Sequence, residues 1–371
     1  LDKQNYYNTI GLQVESLFEL APVQVEKCFD EKKLSALLPL PEAAALKRLI
    51  VAGCGDSYSA AGAMAPVIRR LAGVSCASPD PMELCSFYTD EDILDGCRAE
   101  EVLVVAISAS GGSVRIVEML ERARAAGVRS MLITNNPESK GAKAAQLVYC
   151  VETPELCNTP GLRSYFASLT ALAALGSYIG GCKGVTEPAA ARQAILDYVA
   201  ACQPCYEAID DAMFELAGSW KDLEKFEIVG DESEFFSAQF VEEKFIECAS
   251  VHASHADSED WCHINFFLRE PEKIGTIFHV NASAPDLDRI AESVRVSVAI
   301  GRPTLVVTDA DCAFAEGAAV CRLPKAPENA PWALLMMDHA PGSLLAAYCA
   351  ARAGKLFFSN RYDFRTRTWK M

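Results

Sequence analysis

A chain of 371 residues, 51% hydrophobic and 23% charged, is too apolar to be disordered and long enough to bury two or three domain cores without metals or disulfides. Its 34 Lys and Arg against 50 Asp and Glu leave a formal charge of −16, a field that repels nucleic-acid backbones and anionic lipid, so any anionic ligand has to be held by local donors. The 15 cysteines are odd in number and scattered through apolar stretches, which predicts reduced thiols in a cytoplasmic protein rather than a disulfide framework. The opening LDKQNYYNT is not a signal peptide, and no run reaches the roughly 18 uninterrupted apolar residues of a membrane span.

Taken in chain order, residues 1–46 read as helical with a Pro-punctuated exit at Pro39 and Pro41. From 47 to 185, Val/Ile/Leu runs alternate with amphipathic helices, the pattern of a parallel sheet covered on both faces. A helical connector is expected over 186–221, with Pro188 in its first turn. The strand–helix alternation returns over 222–355, and 356–371 form an aromatic, basic tail. The fold class is therefore α/β, with two tandem doubly wound, flavodoxin-like domains. In the connector, Cys202-Gln-Pro-Cys205 has the spacing of a zinc or redox pair, but no second pair completes a site.

The two α/β stretches repeat one another. RLIVAGCGDSYSAAGAM (48–64) parallels KFEIVGDESEFFSAQFV (225–241), and the Ser-bearing strand ends near 108 and 281 head similar helices. In open α/β sheets ligands sit beyond the carboxyl ends of strands, where helices begin with unpaired N–H groups. Two loops of the first domain suit an anion there. GCGDS contributes Gly55 and Ser57, and SASGGS contributes Ser108, Ser110 and Ser113, a cradle without Lys or Arg. Serine also caps helices, and either loop alone is explained that way. A dinucleotide fingerprint lacks its third glycine, a P-loop its G-K-S/T, and a hydrolase elbow its G-x-S-x-G. The second copy, Gly230-Asp231-Glu232-Ser233, carries two carboxylates that repel an anion, so one phosphate site per chain is expected.

These residues resemble the SIS, or sugar isomerase, family. GCGDSY is similar to its GCGTSY loop, with Asp56 for Thr; ISASGGS is similar to ISQSGET, with Ala109, Gly112 and Ser113 for Gln, Glu and Thr. The resemblance covers roughly residues 47–355 as two SIS modules, as in the isomerase half of glucosamine-6-phosphate synthase and in the fructosamine-6-phosphate deglycases. It implies that Ser57, Ser108, Ser110 and Ser113 hold a sugar 6-phosphate. It also implies that Glu247 is the catalytic base and that His263, 16 residues later, is the catalytic histidine. A solvated helix end and a core histidine are the plain alternatives. His252 reads as structural, and a metal site from His252, His255 and His263 is weakly signalled.

With about 46 residues before the first module, no glutaminase is expected to supply nitrogen from glutamine, and an ungapped count from Gly354 puts Arg365 where the synthases carry a lysine. An arginine stays protonated and forms no Schiff base. The tail RTRTWKM is instead similar to the deglycase ends. The expected activity is thus a deglycase acting on a 6-phosphorylated fructosamine, with no metal and no cofactor. A ketose/aldose phosphosugar isomerase is the alternative, and a non-catalytic phosphosugar sensor the second. Expected partners are a sugar 6-phosphate or its amine adduct and a second copy of the chain in a homodimer with shared sites, with no nucleic acid and no membrane.

Overall fold

Two parallel sheets of five strands each organise the chain in a computed structural model that describes residues 3–6, 8–157, 159–355 and 357. They belong to two units. The first comprises Glu19–Glu155 and Arg163–Leu196; the second draws on the described residues up to Phe18, on Leu156–Leu162 and on Asp197 onward.

In the first unit the strands are β1 (Arg48–Gly53), β2 (Ser75–Ala77), β3 (Val102–Ile107), β4 (Arg129–Thr134) and β5 (Leu147–Cys150), in the order β2-β1-β3-β4-β5. Every residue of β1 and β3 is buried, which is why these strands read as unbroken apolar runs rather than alternating ones. Helices Asp56–Ala72 and Val114–Ala125 return the chain to the start of the next strand. The helix Arg163–Lys183 is long and apolar enough to cross a membrane by length and composition, yet 89% of that window is buried. It is a core helix of this unit, seated against Asp56–Ala72 through its small residues. A Cβ on Gly176 would lie 3.3 Å from Ile68, and one on Gly180 would lie 2.0 Å from the carbonyl oxygen of Leu71.

The second unit contains β6 (Lys225–Val229), β7 (His252–Ala256), β8 (Ile274–Val280), β9 (Thr304–Thr308) and β10 (Ala319–Arg322), ordered β10-β9-β8-β6-β7. Read from the other edge, this is the order of the first sheet, so the duplication seen in the sequence is a duplication of topology. The equivalence extends to single residues. Gly53 and Gly230 both face the backbone four residues on, where a Cβ would come within 2.6 Å of Ser57 and 2.4 Å of Glu234 respectively. One core layer of this unit packs Trp261 and Phe278 with Ile290, Val294 and Val306.

The expected helices over 1–46 and 186–221 are present as Thr9–Cys28, Glu31–Leu37, Leu40–Ala45, Pro188–Cys202 and Tyr206–Ser219. The tail from 358, including Arg365 and RTRTWKM, lies outside the described residues.

Candidate active site

The first unit's crevice follows from its strand order. Chain connections diverge between β1 and β3, which pair in parallel up to Gly53 opposite Ile107, so the two serine loops leave adjacent strands at one level. Gly55 begins the helix Asp56–Ala72 with φ +55°, a conformation that costs glycine little, and no side chain caps that helix. Ser113 begins Val114–Ala125, and its hydroxyl does not cap it either. The capping explanation therefore fails for both helices. Each helix begins at the crevice with the positive end of its dipole.

The hydroxyls are arranged within the second loop. Ser108, buried, accepts from the Gly111 N–H at 3.1 Å, and Ser110, exposed, accepts from the Gly112 N–H at 3.3 Å. Accepting through oxygen leaves each O–H to donate to an anion. Gly111 is required by both its φ of +62° and its neighbour, since a Cβ there would lie 2.1 Å from Ser139 Oγ. Ser57 is half-buried in the first turn of its helix. In the first loop, burial pushes the Cys54 thiol up while the Arg115 charge and the Ser113 hydroxyl pull it down.

The equivalent crevice of the second unit is acidic. Glu232 occupies the place of Gly55 at φ +48°, and Glu234 the place of Ser57. Glu234 accepts from Asn281 Nδ2 at 2.9 Å, and burial pushes its carboxyl up to about 7. Asp338 lies buried in the same interior with its carboxyl held well above the carboxylate range by burial, the Glu234 charge adding to the effect.

Glu247 falls in the second unit. The α-helix Ser233–Lys244 stops three residues before it, and Glu247 sits in a π-helical turn, Phe245–Ala249, that continues the helix. Such turns recur at functional sites. Its side chain is 32% exposed, and Oε2 lies 2.6 Å from Nζ of Lys244, whose side chain is 0% exposed. Lys244 also lies 4.5 Å from the centre of the Phe240 ring, and the buried His339 meets that ring edge-on. The solvated helix end is thus replaced by a carboxylate tied to a buried cation. Sequence reasoning missed Lys244, whose i,i+3 spacing to Glu247 is visible but whose burial is not.

His263 ends the short helix Ser258–His263 and is 67% exposed, with Nε2 2.8 Å from Glu259 Oε1. It is no core histidine. Glu247 and His263 are tied to different partners. His252 is exposed at the start of β7, and His255 pairs with Glu242. Among the described residues no group of three or more His, Cys, Asp or Glu side chains is arranged to hold a metal ion. Cys202 is buried with its thiol pushed up to about 12 by burial, which leaves it unreactive at neutral pH.

Against known proteins, the SIS domain profile matches residues 44–178, the stretch that holds the serine loops. It is 31% identical over 156 residues to the glutamine–fructose-6-phosphate aminotransferase (isomerizing) of Symbiobacterium thermophilum, covering 42% of this chain and 24% of that one. The Zymomonas mobilis enzyme of the same name is 29% identical over 140 residues, 38% of this chain and 22% of its own. The chain thus matches about a quarter of the length of these relatives. Among solved structures, the C-terminal domain of glucosamine-fructose-6-phosphate aminotransferase from Francisella tularensis superposes with a TM-score of 0.78 at 18% identity, over 95% of this chain and 99% of that one. The tagatose-6-phosphate ketose/aldose isomerase of Escherichia coli gives 0.74 at 14% identity over 95% and 96%. Both likenesses extend over the two sheets and establish the doubly wound SIS-type fold.

Proposed function

We propose that the chain is a phosphosugar-processing enzyme of the isomerase type, and that its reaction is deglycation of a 6-phosphorylated fructosamine. The observation that carries the reading is the uncapped pair of serine loops at the sheet's switch point, inside the matched SIS domain. Gly55, Ser57, Ser108, Ser110 and Ser113 hold the 6-phosphate. Glu247, with Lys244 as its counter-charge, removes a proton from C1 of the opened ketoamine and returns one at C2. The resulting aldimine is hydrolysed by water to a sugar 6-phosphate and a free amine, and His263 assists ring opening. The second sheet is read as a diverged SIS copy whose acidic crevice binds no phosphate. The active form is a two-fold homodimer with shared sites.

The alternative is ketose/aldose isomerisation by the same residues with no amine, the reaction named for the Escherichia coli protein of like fold. Turnover of phosphorylated fructosamines against amine-free sugar 6-phosphates separates the two, since only deglycation releases amine. In deuterium oxide the aldose product is expected to carry deuterium at C2. Glu247→Gln should slow turnover by a factor on the order of 10² to 10⁴ with little change in affinity. Product free of deuterium, or an unimpaired Gln variant, removes Glu247 from this role. Binding without turnover by the native chain leaves a sensor.

A further inference from the structure

We propose that the buried Glu227–Arg302 pair is the positioning device for His263, an inference that rests on the reading of His263 as a reacting group. The ties His263 makes through its own side chain, to Glu259, lie at the surface. His263 ends a helix of six residues, too short to be stable by itself, and its imidazole is 67% exposed. What holds this segment lies beneath it. Glu227, in the middle of β6, accepts a hydrogen bond from Trp261 Nε1 at 2.8 Å, two residues before His263. Arg302, just before β9, donates from Nη2 to the carbonyl oxygen of Asn265 at 2.7 Å, two residues after it. The Arg302 side chain is 0% exposed and that of Glu227 is 6% exposed. The two are joined through Nη1, which also donates to Thr276 Oγ1 at 3.2 Å. The guanidinium carbon lies 5.1 Å from the centre of the Trp261 ring.

One ion pair anchored on β6 and on the turn before β9 thus grips both flanks of His263. A buried ion pair gains little stability over well-packed apolar residues of similar volume, because desolvation cancels most of the attraction. What it supplies is direction. The carboxylate fixes where the Trp261 N–H points, and the planar fork of the arginine fixes the Asn265 carbonyl. Apolar replacements would fill the space without either constraint.

The test uses the full chain carrying Glu227→Leu together with Arg302→Met, which removes both charges at once and leaves neither stranded. If the pair positions His263, this variant keeps its fold, loses 10- to 100-fold in kcat with KM within threefold of the native value, and exchanges the backbone amides of residues 258–268 at least tenfold faster. A merely structural pair would change thermal stability without that split. Native kcat and native exchange in the folded double variant overturn the proposal. Should the double variant not fold, Trp261→Phe, which removes the N–H donor together with one ring of the indole, is judged by the same two readings. Should the native chain turn over neither a phosphorylated fructosamine nor a sugar 6-phosphate, the functional reading falls. Exchange over 258–268 then still decides whether the pair fixes this segment.

Discussion

Replacing Glu234 by Gln should stabilise the second unit at alkaline pH and leave it nearly unchanged in mild acid. Glu234 is fully buried, and burial raises its carboxyl from an ordinary 4.5 to about 7. Below the unfolded value both states hold the proton and the group costs nothing. As pH rises, the unfolded chain ionises first, so stability is lost until the folded carboxyl also releases its proton near 7, and the loss is constant beyond. A shift of this size corresponds to about 3 kcal/mol, of which about 2 to 3 kcal/mol accrues between pH 5 and pH 8. Glutamine keeps the volume and an acceptor for Asn281 Nδ2, and it no longer repels Asp338. The measurement is urea unfolding at the two pH values. It is followed through Trp220, Trp261 and Trp332, all buried in this unit. The variant should gain about 2 to 3 kcal/mol on the native chain at pH 8 relative to pH 5. An equal difference at both pH values, or a variant weakened at pH 8, would show that Glu234 is not held protonated by burial.

Three further outcomes follow from the same geometry. Ser57→Ala with Ser110→Ala should leave the fold intact and weaken sugar-phosphate binding in calorimetry, each lost hydrogen bond to a charged group costing about 1.5 to 3 kcal/mol; unchanged binding would place the phosphate elsewhere. Lys244→Met should cut turnover by at least about tenfold through loss of the group that holds the Glu247 carboxylate, with partial recovery in Lys244→Arg; native turnover in the Met variant would separate Lys244 from the chemistry. His279, whose burial lowers it to about 4, stays neutral in the fold while the unfolded chain takes up a proton below about 6.5. His279→Leu should therefore gain about 2 kcal/mol on the native chain between pH 7.5 and pH 5, read from denaturant curves.

Most of the fold was open to reading because its strands are buried on both faces and its loops are punctuated by glycine. The Val/Ile/Leu runs of β1, β3 and β8 and the repeat of 48–64 at 225–241 carry topology in one dimension. The serine loops stand out in the sequence by glycine and hydroxyl residues beside strand ends, although the same residues also suit helix caps. Partners were harder. Lys244 looks like an ordinary helical lysine until Phe240 and His339 are folded over it, and nothing in the local sequence of Asp338 and His339 announces full burial. The helix expected to run to Glu247 yields to a π turn at Phe245, a change of hydrogen-bond register that residue spacing does not encode. His263 could have been a core residue by type; only the short helix and Glu259 set it at the surface.

The helix Arg163–Lys183 carries a consequence for how the chain is made. Its alanine, glycine and leucine surface is meant for Asp56–Ala72, which leaves the ribosome about a hundred residues earlier. Until the later helix emerges, the sheet of the first unit is complete but one side of Asp56–Ala72 stands uncovered. A nascent chain paused between residues 155 and 163 would expose an apolar groove that suits a holding chaperone, and a chain ending there should aggregate rather than persist as a smaller domain.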